Sequence, residues 1–191
     1  MIKQFARRLK LRRYNEFTRA EYFRSLGAKI GENCRIIVDS MGSEPWLVEI
    51  GDRVAISHGV VFMTHDGGAH VFRKEIPTLQ RYGKIKIGNN CMVGINVILA
   101  AGVTVGDNCV IGAGSIVTRD IPSGSFAFGV PARVLMPIER YKETFVEAWK
   151  IQKPSGYGDT LDPARLDDVA YVSTQLASEL WKIREHFKNN P

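Results

Sequence analysis

Residues 87–117 read IGNNCMVGINVILAAGVTVGDNCVIGAGSIV. A large aliphatic residue recurs at every sixth position: Ile87, Val93, Leu99, Val105, Ile111 and Val117. Gly or Ala follows it at Gly88, Gly94, Ala100, Gly106 and Gly112. Four residues after each aliphatic stands a second, mostly small residue of inward type: Cys91, Val97, Val103, Cys109, Ser115 and Ile121. A period of six is neither the 3.6 of a helix nor the 2 of a plain strand. It suits short strands joined by turns, each hexad forming one side of a prism, with the aliphatics stacked inward from coil to coil. Asn89-Asn90, Asp107-Asn108 and Glu32-Asn33 tolerate the left-handed backbone that turns need; glycine serves the same need.

The same rhythm appears earlier in two broken stretches. Ile30-Gly31 and Ile36 form one; Ile50-Gly51, Ile56 and Phe62 form the other, with Cys34, Val54 and Val60 at the second inward position. The interruptions fall at residues 39–48 and 64–84. Excursions from a solenoid sit on its surface and tend to carry function. At the N-terminus, Ile2, Phe5 and Leu9, then Phe17, Ala20, Phe23 and Leu26, have helical spacing. They predict one or two amphipathic helices over residues 1–27. Beyond Pro137, residues 138–152 read as a helix, and a Pro/Gly-rich stretch at 154–158 ends it. Residues 163–188 read as a second helix with Val169, Val172, Leu176, Leu180 and Ile183 on one face. The expected organisation is a basic helical segment over 1–27, a β-helix over 28–136 with its two insertions, and C-terminal helices over 137–191.

Composition narrows the class. The chain has 191 residues, 45% apolar and 24% charged, as a soluble globular domain does. No apolar run approaches the roughly 18–20 residues of a membrane span. The basic start lacks the apolar stretch of a secretory signal, so a cytoplasmic protein is expected. The formal charge is +6. All of that excess lies in residues 1–27, where Lys3, Arg7, Arg8, Lys10, Arg12, Arg13, Arg19 and Arg24 outnumber Glu16 and Glu21. A basic amphipathic helix suits contact with an anionic membrane surface; a solubilising helix packed on the assembly is the other reading. No nucleic-acid recognition motif accompanies the charge, so no nucleic acid is expected.

The chemistry-bearing residues are few. Cys34, Cys91 and Cys109 share one inward hexad position, where a buried cysteine behaves as a small apolar residue. Their odd number and lack of CxxC spacing speak against a metal site. His186 belongs to the last helix. His58, His65 and His70 surround the second interruption. His65 is the third residue after Phe62, held by the coil yet facing the mouth of the loop. A general base needs that combination of fixed geometry and access. The alternative is a loop histidine bonded locally to Asp66. His70 lies deeper in the loop, and His58 reads as a surface turn residue.

Three stretches carry a family resemblance: IKIGNNCMVG from Ile85, VIGAGSIVTRDIP ending at Pro122, and GVPARV from Gly129 to Val134. Over roughly residues 28–136 the chain resembles the hexapeptide-repeat acyltransferases, in the maltose/galactoside and polysaccharide O-acetyltransferase branch. The resemblance implies a left-handed parallel β-helix and a homotrimer with active sites in the clefts between subunits. It implies acetyl-CoA as cosubstrate and no metal. It assigns the catalytic base to the loop histidine matched here by His65. For coenzyme A it implies Ala101 and Ala113 along the pantetheine arm, Thr118 and Arg119 near the nucleotide phosphates, and Arg133 as a further cation. Met136 stands where a second basic residue often follows. Asp39 matches a position that holds an acceptor hydroxyl, and Trp46 is a candidate for stacking on a sugar ring. The insertion Ser40–Trp46 and the lack of the usual N-terminal domain depart from the maltose/galactoside pattern and speak against a free mono- or disaccharide acceptor. The expected acceptor is a hydroxyl of a sugar or polysaccharide precursor. Asp66 or another carboxylate is expected to orient His65. Two other readings accompany this one: N-acetylation of an amino sugar, and a non-catalytic or metal-binding trimer built on His58, His65 and His70.

Overall fold

In the computed structural model, which describes residues 10–189, the hexads are short strands that visit three sheets in turn. The strands are β1 (Lys29–Ile30), β2 (Arg35–Ile36), β3 (Val48–Ile50), β4 (Ala55–Ile56), β5 (Val61–Phe62), β6 (Ile85–Ile87), β7 (Met92–Val93), β8 (Ile98–Leu99), β9 (Thr104–Val105), β10 (Val110–Ile111) and β11 (Ile116–Val117). The first face is β1-β3-β6-β9, and the third is β5-β8-β11. The second is β2-β4-β7-β10, extended by β12 (Ser125–Gly129) and its antiparallel partner β13 (Ala132–Pro137). All other pairings between these strands are parallel, giving a three-sided parallel β-helix.

Register counts the coils. Lys86 faces Thr104, Met92 faces Val110 and Ile98 faces Ile116, each pair 18 residues apart. Ala55 faces Met92 and Val61 faces Ile98 across 37, so the interruption after β5 adds nineteen. Lys29 faces Glu49 across 20, so the first interruption adds only two. The aliphatic stack lies inside: Ile36, Ile56, Val93, Leu99, Val105, Ile111 and Val117 are fully buried.

The turns divide the labour of asparagine and glycine more finely than the sequence reading did. The left-handed turn residue is Asn33, Arg53, Asn90, Asn96 or Asn108 in some turns and Gly59, Gly102 or Gly114 in others. The glycine directly after the aliphatic has a different task. A Cβ on Gly94 would lie 2.6 Å from the backbone N of Ala113 in the next coil, so glycine there lets the coils stack closely. The cysteine thiols follow the expected inward pattern and also bridge coils. Cys91 Sγ donates to Gly106 O at 3.0 Å, and Cys109 Sγ to Pro122 O at 3.2 Å.

The chain divides into two compact units, Met1–Ile138 and Glu139–Pro191. In the first, helix α1 (Arg19–Arg24) buries Ala20, Tyr22 and Phe23 against the first coil. Only residues 10–27 of the basic segment are described; the reading of Ile2, Phe5 and Leu9 as a helical face falls outside the described residues. In the second unit, α2 (Ile138–Gln152) matches the predicted helix. The helix expected over 163–188 is instead two, α3 (Val169–Ser178) and α4 (Leu180–Asn189). The break is at Glu179. Its buried carboxylate turns away to accept from Gly158 N–H at 2.6 Å and Thr160 Oγ1 at 2.6 Å. Apolar periodicity does not register such a polar anchor. No described helix is long and apolar enough to cross a membrane.

Candidate active site

His65 stands where the third face gives way to the second interruption. The loop leaves and re-enters through a short ladder. His65 and Tyr82 form an antiparallel bridge, Asp66 N–H donates to Arg81 O at 2.9 Å, and Gly83 N–H donates to Thr64 O at 3.0 Å. The Tyr82 ring lies edge-on to the imidazole, centroids 6.0 Å apart. The backbone of His65 is thus fixed by the coil, while its side chain is 44% exposed.

The carboxylate on the imidazole is Glu44, not Asp66. Glu44 Oε2 lies 2.9 Å from His65 Nδ1 and accepts from Thr64 Oγ1 at 2.5 Å. Asp66 follows His65 on extended backbone, so the two side chains diverge. The Asp66 carboxylate accepts from Gly68 N–H at 2.8 Å and pairs with Arg81 at 3.7 Å. Burial opposes ionisation of Glu44, but the bonds from Thr64 and His65 outweigh it and hold its carboxyl below the ordinary range. An ionised carboxylate only accepts, so Nδ1 carries the proton toward Glu44. In the neutral ring, Nε2 then holds the lone pair. Register could have found Glu44: where Arg35 faces Ala55 twenty residues on, residue 44 falls beside Thr64.

The other predicted residues divide between two edges of the prism. The edge between third and first faces holds Thr64 and Gly83, then Ala101, then Thr118 and Arg119. Coil-to-coil contacts carry this order: a Cβ on Gly83 would lie 2.7 Å from Ala101 C, and Ala100 N–H donates to Val117 O at 3.0 Å. Thr118 and Arg119 are exposed there. The edge between second and third faces holds His58, Asn96 and Ala113 in successive coils, with Asn96 N–H donating to His58 O and Gly114 N–H to Ile95 O. Arg133 belongs to the β12–β13 hairpin, whose Phe128 ring lies against Gly112 on that second edge. Arg133 is exposed, and one guanidinium N–H bonds Ala132 O at 2.8 Å. So Ala101, Thr118 and Arg119 share an edge with His65, while Ala113 and Arg133 do not.

On the acceptor side, Trp46 sits in a 3₁₀ turn, Pro45–Leu47, two residues from Glu44, and is 58% exposed. Asp39 is 72% exposed and pairs with Arg19 of α1 at 3.4 Å. Among the described residues, no group of three His, Cys, Asp or Glu side chains is arranged to hold a metal ion.

Comparison with known proteins agrees with the fold and the class. Residues 84–119 match the family described as bacterial transferase hexapeptide (six repeats). The chain is 45% identical to protein CapG of Staphylococcus aureus over 139 residues, covering 71% of this chain and 81% of CapG. It is 39% identical to the galactoside O-acetyltransferase of Escherichia coli K12 over 110 residues, covering 57% of this chain and 54% of that protein, so it spans about half of that relative. A solved galactoside acetyltransferase in complex with coenzyme A superposes with a TM-score of 0.52 at 32% identity, covering 65% of this chain and 72% of that one. The chain belongs to the hexapeptide-repeat transferase family. It has that family's left-handed β-helix and is an enzyme of the acyltransferase class.

Proposed function

We propose that the chain is an acetyl-CoA-dependent O-acetyltransferase acting on a hydroxyl of a sugar or polysaccharide precursor, with His65 as general base. The observation that carries this reading is the shared edge. A fixed, accessible imidazole heads a column of small or donor-type residues, Ala101 then Thr118 and Arg119, along which a thin thioester arm can lie. Transfer is direct. Nε2 of the neutral imidazole takes the proton from the acceptor hydroxyl as its oxygen attacks the thioester carbonyl. Backbone N–H groups at the coil edge stabilise the oxyanion. The tetrahedral species then collapses, expelling coenzyme A thiolate, which is protonated from the imidazolium. Trp46 offers a face to a sugar ring, and Asp39 an acceptor oxygen to a hydroxyl.

A second copy of the chain accounts for the residues on the other edge. The outward side chains of the third face are Val61, Ile98 and Ile116, and those of the second include Ala55, Met92 and Val110. The first face presents Lys29, Glu49, Lys86 and Thr104. Three copies related by a three-fold axis would cover the apolar faces and bring the Ala113–Arg133 edge of one beside the His65 edge of the next. Arg119 and Arg133 would then both reach the donor's phosphates, where a guanidinium can bond two oxygens.

The test is His65→Ala assayed with acetyl-CoA and a panel of hydroxyl and amino sugars. Turnover should fall roughly 10²–10⁴-fold with the oligomer and donor binding intact. Near-normal turnover in this variant would remove His65 from the chemistry. Preference for amino sugars would replace O- by N-acetylation.

A further inference from the structure

We propose that Glu44, carried by the first insertion, is the positioning residue that fixes the tautomer and orientation of His65; this rests on the reading of His65 as the general base. The family model matches residues 84–119 and does not reach residue 44. Glu44 Oε2 is shared between the imidazole Nδ1 at 2.9 Å and the hydroxyl of Thr64, itself only 1% exposed. The carboxylate is 14% exposed against 44% for the imidazole. It therefore approaches the ring from the protein side and leaves the far nitrogen to solvent and substrate.

The insertion is built to hold that carboxylate in place. Met41 before it and Pro45 after it are buried. Gly42 between them has φ +78°, and a Cβ there would lie 2.7 Å from Phe62 O and 2.9 Å from Thr64 Oγ1. That absence of a side chain lets the loop lie directly on the strand end leading to His65. Three anchors around one residue are what holding a catalytic group's partner within about 0.5 Å requires. An imidazole whose Nδ1–H is held by a carboxylate presents Nε2 as the base; a ring free to take the other tautomer places the proton where the lone pair is needed. Glu44 touches neither donor nor acceptor in this scheme. It acts on the rate through His65.

The experiment uses the full chain and two substitutions, Glu44→Leu and Glu44→Gln, with two readouts. The first is steady-state kinetics with acetyl-CoA and the best acceptor from the panel. The second is the ¹⁵N signature of the histidine rings at a pH where they are neutral, with His65 assigned by its loss in His65→Ala. Glu44→Leu removes the acceptor for Nδ1–H. Its kcat should fall about 10²-fold or more while KM for acetyl-CoA stays within two-fold, and the ring should shift toward the Nε2–H tautomer. Glu44→Gln keeps an acceptor oxygen without the charge and should recover part of both. A wild-type ring pattern in folded Glu44→Leu, or a kcat within two-fold of wild type, overturns the proposal. Failure of the base assignment looks different: His65→Ala would keep its turnover whatever the tautomer in Glu44→Leu.

Discussion

At the scale of single residues, the proposed mechanism depends on Gly42 and Glu44 as well as on His65. Alanine at Gly42 must adopt a left-handed backbone and also push Phe62 O and Thr64 Oγ1 aside. We expect Gly42→Ala to lower kcat ten-fold or more by moving Glu44, with donor KM little changed, as steady-state kinetics would show. Glu44 also ties stability to pH. Its folded carboxyl sits below the ordinary range, so the folded state binds that proton more weakly than the unfolded chain. The stabilisation is complete above the unfolded value of about 4.3 and is lost as pH falls through the folded one. The difference in melting temperature between wild type and Glu44→Gln should therefore shrink between pH 6 and pH 3. His65 was legible in the sequence because it follows the last regular aliphatic, Phe62, at a fixed distance. Glu44 was harder to read: the twenty-residue register sets it beside Thr64, but nothing local ties it to His65, twenty-one residues on. Asp66 was the nearer carboxylate, and extended backbone points neighbours apart.

At the scale of elements, the hexads from Ile87 to Val117 were readable almost residue by residue, since each inward position repeats its chemistry. Ile111 is fully buried between coils. Ile111→Ala leaves a hole that the close-stacked coils cannot easily collapse around. It should cost about 2–5 kcal/mol in urea unfolding. The ends were less legible. Helix α1 covers only the middle of the Phe17–Leu26 face, because Asn15 Oδ1 accepts from Phe17 N–H and Thr18 N–H and holds the preceding chain in a turn. The C-terminal pair α3 and α4 reads as one helix from its apolar spacing. The break depends on Glu179 reaching back to Gly158 and Thr160, which spacing does not encode.

At the scale of the molecule, the division of the proposed donor-binding residues between two edges argues for assembly. We expect light scattering on the purified chain to give about 64 kDa, three times 21.4 kDa; a monomer would leave Ala113 and Arg133 without a route to the site. The register has one more consequence, for how the chain folds. Between β6 and β11 every pairing closes 18 residues, whereas β3, β4 and β5 must reach across the second insertion and close 37. Doubling a loop costs about 0.6 kcal/mol in closure entropy, and distant pairings form more slowly. Coils from Ile85 onward are thus the natural nucleus, and the first coils dock onto them later. Glu44 belongs to the late-docking part, so its bond to His65 is among the last made. Catalytic competence then serves as a report on completed folding: a chain stalled halfway along its own helix has a template for its remaining coils but no oriented base.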